Sequence, residues 1–200
     1  MPETDFIALR KVPYTDNSLI LSGISGEFGR LGFMIKGAYS RKEFPALDIF
    51  RLYHVDFLPG REDLSKLRAV DLVEDFGGVA ADYSRYQAAA WISAFSMLNV
   101  MPNLPHPFFT NAVEVALRRL ANKKDNVDAV KTCVALSFIF EEGWLAHAVH
   151  TESGSEQCRQ LLEMAGGSEG PNLSDDSWRE QLEWCLQLLR INECRLPGEH

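Results

Sequence analysis

The stretch SLILSGISGEFGRLGFMIKG, residues 18–37, decides the fold of the first part of the chain. It contains two short apolar runs, SLILSGIS and RLGFMIKG, in which apolar and polar residues partly alternate, as they do in β-strands. The residues between them, GEFG, favour a turn because glycine tolerates positive φ. The sequence therefore predicts two consecutive strands here.

Three further runs of the same kind lie within the first 76 residues: FIALRKV, IFRLYHVDF and LSKLRAVDLV. Turn-forming segments such as PYTDNS and LPGRED separate several of the runs. Five short strands fit a small barrel or a rolled sheet. An OB-type barrel is one option, since closure of the sheet removes its exposed edges.

The character of the chain changes after DFGG, residues 75–78. Helices are predicted at about 82–100, 108–121, 126–146 and 174–191, and Ser174 followed by two acids is typical of an N-cap. The three prolines of NVMPNLPHP end the first helix, and TESGSE and AGGSEGPN are predicted to be loops. The predicted fold class is therefore α+β, with a five-stranded β domain over residues 1–77 and an all-helical domain over residues 78–200.

The composition, 46% hydrophobic and 24% charged, is that of a chain with a real core. The formal net charge of -8 argues against nucleic acid, because phosphate contacts need Lys and Arg. Residues 28–51, however, hold five Lys or Arg against two Asp or Glu, so one face can be positive on an acidic protein. Neither a signal peptide nor a membrane-spanning apolar run is evident, and we expect a soluble, cytoplasmic protein.

Metal and catalytic motifs are not evident in the sequence. Cys133, Cys158, Cys185 and Cys194 lack the short spacing of a zinc loop and are expected to be free thiols. His147 and His150 suit the end of a helix better than a metal site. We find neither a nucleophile elbow nor a phosphate-binding loop that opens a helix. The sequence thus predicts no catalytic residue, no metal and no cofactor.

The N-terminal residues resemble the start of RecO, the bacterial recombination-mediator and DNA-annealing family. The similarity covers residues 5–76. In order along the chain, the similar features are a strand, an Arg-x-x-x-Tyr motif, a Gly-Arg-Leu turn and a Lys-Gly-Ala motif followed by basic residues. The matching positions are Arg10, Tyr14, Asp16, Ser18, Gly29, Arg30, Leu31, Lys36, Gly37, Ala38, Arg41 and Lys42. The four-cysteine zinc module of many family members has no counterpart in this sequence.

The resemblance implies an N-terminal OB-fold and a helical second domain. It further implies a DNA repair protein that binds single- and double-stranded DNA, anneals strands and assists recombinase loading without being an enzyme. The implied protein partners are RecR and the C-terminal tail of the single-stranded-DNA-binding protein. The alternative is a protein-interaction module that kept the fold and lost DNA affinity, as the acidic second half would suit.

Two groups of residues are candidates for binding. For DNA, Arg30, Lys36, Arg41 and Lys42 would contact phosphates, Tyr39 would stack on a base, and Arg10 and Lys11 would extend the surface; Tyr53 and Phe57 add aromatic side chains on a later strand. The opposing interpretation is a solvated strand edge, where lysines discourage edge pairing. For the partner tail, a groove between helices needs a cation, and the candidates are Arg118, Arg119 and Lys123, although a solvated helix end explains these equally.

Overall fold

A computed structural model of the chain describes residues 2–37, 46–60, 64–122, 125–149 and 151–199. Its first part is a five-stranded antiparallel sheet and its second part contains five α-helices, which confirms the predicted α+β class. The chain divides into two compact units. The first comprises Met1–Gly77 and Val100–Pro107, and the second comprises Gly78–Asn99 and Phe108–His200.

The strands of the first unit are arranged in the order β3-β2-β1-β4-β5. They form from the five short runs of partly alternating apolar and polar residues that the sequence predicts to be strands. Their bounds are β1 Glu3–Thr15, β2 Ser18–Ser25, β3 Gly29–Lys36, β4 Arg51–Leu58 and β5 Lys66–Asp75.

The sheet closes on itself between β3 and the residue that precedes β5. Ser65 forms a parallel bridge with Phe33, its N–H donates to the carbonyl of Gly32, and its carbonyl accepts from the N–H of Met34. These two hydrogen bonds satisfy backbone groups that an open sheet would leave at its edge. The resulting five-stranded barrel has the OB topology, with β1 between β2 and β4.

The core of the barrel is aromatic. Phe6, Phe33 and Phe57 are almost fully buried, with the Phe6–Phe33 ring centroids 5.0 Å apart and the Phe33–Phe57 centroids 5.6 Å apart in edge-to-face geometry. Alternate side chains of β1, β2, β3 and β4 join this core, so the intervening side chains of these strands lie on the outer face. The barrel thereby fixes which charged residues share a surface.

Gly29 shows why residues 100–107 belong to the barrel unit. It has a φ of +64°, and a Cβ at this position would lie 2.3 Å from the carbonyl oxygens of both Met101 and Leu104. The neighbouring Arg30 N–H donates to the carbonyl of Met101. The turn between β2 and β3 therefore needs glycine for its backbone conformation and for this close approach.

Among its described residues the second unit contains five α-helices, and none of them is long and apolar enough to cross a membrane. Asn126 caps α3 and Ser174 caps α5 by accepting backbone N–H groups, the latter as predicted. The helices are α1 Tyr83–Asn99, α2 Pro107–Asn122, α3 Val127–Glu141, α4 Glu152–Ala165 and α5 Asp175–Ile191.

The sequence interpretation missed α4 and made α3 too long. TESGSE was predicted to be a loop. Thr151 instead caps α4 by accepting the N–H of Gly154, so these polar residues form the start of a helix. The predicted helix over residues 126–146 ends at Glu141, where Gly143 adopts a φ of +78°.

Candidate nucleic-acid interface

Three of the predicted cations lie on the outer face that β1, β2 and β3 form together. Arg30 and Lys36 are on β3 positions that alternate with the core residues Leu31, Phe33 and Ile35. Arg10 on β1 pairs with Ser22 of β2, which in turn pairs with Gly32 of β3 in the same outward row. We call Arg10, Arg30 and Lys36 the basic face.

The basic face differs in exposure from one residue to the next. Arg10 and Lys36 are exposed and Arg30 is half-buried. Arg30 and Lys36 are six residues apart on one strand, which corresponds to about 20 Å. Tyr14 near the end of β1 is 60% exposed. A surface of this length with cations and an aromatic side chain suits an extended polyanion.

Lys11 does not lie with Arg10. It pairs with the core residue Leu21 and so leaves β1 on the opposite side. Its Nζ donates to the carbonyl of Leu47 at 2.8 Å and lies 3.6 Å from a carboxylate oxygen of Asp48. The two adjacent cations therefore do not form one surface, because successive strand residues alternate.

Two aromatic side chains suggested for base stacking belong to the core instead. Tyr53 is fully buried, and its hydroxyl accepts the backbone N–H of Asp48 at 2.9 Å. Phe57 is 2% exposed. The predicted contacts at Tyr39, Arg41 and Lys42 lie outside the described residues.

The outer face of β1 and β4 is acidic. Glu3 pairs with Asp56 and Asp5 pairs with His54 in the β1–β4 ladder, and Asp71 of β5 pairs with His54 on its other side. The Asp5 carboxylate accepts a hydrogen bond from His54 Nδ1 at 2.8 Å, and this bond raises the pKa of His54. One barrel thus presents a basic face and an acidic face, which the net charge alone does not reveal.

The two described cations predicted for the partner tail are engaged within the helical unit. Arg118 pairs with Glu114 at 2.6 Å, one turn away on α2. Arg119 donates to both carboxylate oxygens of Asp125 at 3.1 Å and to the carbonyl of Ser168. Both arginines line a polar cavity of about 470 Å³. Lys123 lies outside the described residues.

The helical unit also contains an apolar groove, and none of the described residues predicted for the partner tail lines it. Its volume is about 630 Å³, and Phe140 in its wall is 47% exposed. Arg159 of α4 lies at the groove and pairs with Glu156 and Glu163. The position of the groove was missed because TESGSE at the start of α4 was predicted to be a loop and the rest of α4 was not recognised as a helix. The groove is lined by Phe108, Phe140, Leu145, Val149, Ser155, Cys158, Arg159, Leu162, Glu163, Gly166 and Ser168.

The first unit is similar to a known protein family. Residues 1–76 match the family model described as the N-terminal domain of recombination protein O. These residues include all five strands of the barrel. No curated protein matched the chain. The match supports a role in recombination and repair in general terms.

Proposed function

We propose that the chain is a recombination mediator that binds single- and double-stranded DNA, anneals strands and assists recombinase loading, because residues 1–76 match the model of the RecO N-terminal domain. The observation that carries this proposal is the family match over a closed OB barrel with Arg10, Arg30 and Lys36 on one outer face. OB barrels commonly bind single strands along such a surface.

Phosphate neutralisation is the physical basis of the proposed binding. Each Lys or Arg that contacts a phosphate releases a condensed counterion, so affinity falls as salt rises. The face holds three described cations, and Arg41 and Lys42 would extend it. The acidic face on β1 and β4 would repel a backbone that strayed from the basic face, which favours one path across the barrel.

Annealing requires no catalytic group. Two strands are brought together when their backbones are neutralised and their bases stay accessible. The proposed protein is accordingly not an enzyme. Its helical unit would position protein partners, namely a RecR-like protein and the tail of the single-stranded-DNA-binding protein.

The test is fluorescence anisotropy of a labelled single-stranded oligonucleotide at low and physiological salt. The variant replaces Arg30, Lys36, Arg41 and Lys42 with Ala. A charge-matched control replaces Lys66, Arg68, Arg179 and Arg195 with Ala, so both variants carry the same net charge. We expect the first variant to bind at least tenfold more weakly and to flatten the salt slope, while the control binds like the parent protein. Equal losses in both variants would contradict the assigned face.

The second candidate function is a protein-interaction module that does not bind DNA. The observation that favours it is the apolar groove with the exposed Phe140, since exposed apolar concavities often accept peptides. Arg159 would receive an acidic group there only by displacing Glu156 or Glu163. The absence of DNA binding even at low salt, together with capture of a protein partner that survives nuclease treatment, would favour this function.

A further inference from the structure

A histidine and three carboxylates lie together on the outer face of β1 and β4. The ladder places Glu3 opposite Asp56 and Asp5 opposite His54. The residues between them, Thr4 and Val55 included, are buried, so the four ionisable side chains share the solvent side of the barrel. Glu3 and His54 are diagonal neighbours, a separation that long side chains bridge.

Three of these side chains can reach one ion. One ligand atom from each of Glu3, His54 and Asp56 lies within 4.8 Å of the other two. Ligands about 2.0–2.2 Å from a tetrahedral metal lie about 3.3–3.6 Å from one another, as the bond lengths and the tetrahedral angle dictate. The side chains of Glu3 and His54 are exposed. Rotations about their χ angles can therefore bring the ligand atoms to this separation.

Asp5 prepares His54 for coordination although it is not one of the three ligands. Its carboxylate accepts the Nδ1 hydrogen of His54 at 2.8 Å. This hydrogen bond fixes the ring orientation and leaves the lone pair on Nε2, the arrangement in which an outer carboxylate supports a metal-bound histidine.

The electrostatics of Glu3 and Asp56 also favour a cation. Like charges at directly opposite ladder positions destabilise a sheet. Within the described ranges no Lys or Arg forms an ion pair with either carboxylate, whereas Asp75 and Asp48 on the same unit each have one. A divalent ion would remove the repulsion between the two.

We propose that Glu3, His54 and Asp56 bind one divalent transition-metal ion of the zinc class, with Asp5 orienting the histidine. An imidazole nitrogen beside two carboxylates is an N/O donor set that Zn²⁺ accepts and that gives Mg²⁺ no advantage. The site differs from the sequence-based expectation of no metal. Its ligands are up to 53 positions apart in sequence, and only the β1–β4 register brings them together.

The proposal is tested by calorimetric titration of ZnCl₂ into the untagged protein. The parent should bind one ion, and His54→Ala and Glu3→Gln should each weaken the binding at least tenfold. Asp5→Asn should weaken it by about 10-fold to 100-fold, the usual effect of losing an outer-shell partner. The matched control is Glu27→Gln, an exposed acid in the turn between β2 and β3.

Three outcomes would overturn the assignment. They are no zinc binding by the parent, equal zinc binding by His54→Ala and the parent, and an equal loss in Glu27→Gln. Magnesium that binds as tightly as zinc and ignores His54→Ala would likewise replace it with a carboxylate-only site. NMR of the His54 ring adds an independent measurement, because zinc should shift Nε2 rather than Nδ1. These results do not depend on DNA binding.

Discussion

Arg51 and Asp75 form the end pair of the β4–β5 ladder, and the Nε of Arg51 donates to the Asp75 carboxylate at 3.0 Å. The same carboxylate accepts the N–H of Gly77 at 2.7 Å through its other oxygen. Partial burial disfavours the charged form of Asp75, but the bonds from Arg51 and Gly77 outweigh it and lower the pKa. The ion pair thus links the end of β5, the last strand of the barrel, to the start of β4.

Asp75→Asn should lower the free energy of unfolding at neutral pH by no more than about 1 kcal/mol, since the pair is partly exposed. A folded-state pKa below the unfolded value gives stability that is present above the unfolded pKa, about 3.9, and is lost as the pH falls through the folded pKa. The difference between parent and variant should therefore disappear in acid. Urea denaturation at a series of pH values measures this.

Asp16→Asn in the exposed β1–β2 turn is the control for that series, because no described residue forms an ion pair with it. Asp16→Asn and the parent protein should have nearly equal free energies of unfolding at every pH. If Asp75→Asn behaved in the same way, the Arg51–Asp75 pair would contribute nothing to stability.

Gly29→Ala should destabilise the barrel by about 2 kcal/mol or more, because positive φ and a backbone clash act together. A Cβ there would lie 2.3 Å from two carbonyl oxygens. Gly143→Ala is the matched control, with a similar φ of +78° and nothing within 4 Å of the added Cβ. Thermal unfolding of both variants separates the clash from the conformational cost. Equal losses would show that residues 100–107 yield to the new methyl group.

The barrel was predictable because apolar and polar residues partly alternate along its strands, and glycine-rich or polar turns separate several of them. The basic face was predictable only in part. Alternation places Arg30 and Lys36 together, but the shift in β1–β2 pairing between Ala8 and Arg10 decides on which side Arg10 and Lys11 lie, and no local pattern encodes it. The role of Tyr53 was likewise not evident from the local sequence. Its hydroxyl accepts a hydrogen bond from the backbone of Asp48 inside the unit and is not presented to a ligand.

The helical unit was harder to predict, because its signals depend on tertiary partners. The start of α4 consists of Glu, Ser and Gly, which favour loops in isolation, and burial of Leu161, Met164 and Ala165 stabilises the helix. The apolar groove requires residues from three helices and the segment before α4. No single window of sequence contains it.

Glu141 at the end of α3 should stabilise the start of α2. Its two carboxylate oxygens accept the backbone N–H groups of Phe108 at 3.0 Å and Phe109 at 2.9 Å. The negative charge of the carboxylate also interacts favourably with the positive end of the α2 dipole. Glu141→Ala should therefore lower the free energy of unfolding by about 1–2 kcal/mol, the usual cost of losing an N-terminal cap. Glu180→Ala, an exposed acid on α5, is the control and should change it by less than about 0.5 kcal/mol. If Glu141→Ala lowered the free energy of unfolding by less than about 0.5 kcal/mol, the capping role would be contradicted.

The cysteines should react slowly with a disulfide reagent in the native protein at pH 8. Burial raises the pKa of Cys133 to about 12 and that of the half-buried Cys194 to about 11, and it raises the pKa of Cys158 and Cys185 as well. Because the thiolate is the nucleophile, the native protein should show one slow phase from Cys194 followed by slower ones, and denaturant should expose all four thiols to fast reaction. Cys194→Ser should remove the first phase and leave the others unchanged. A native thiol that reacts at the rate of free cysteine would show that one of these sites is open to solvent and its pKa is not raised.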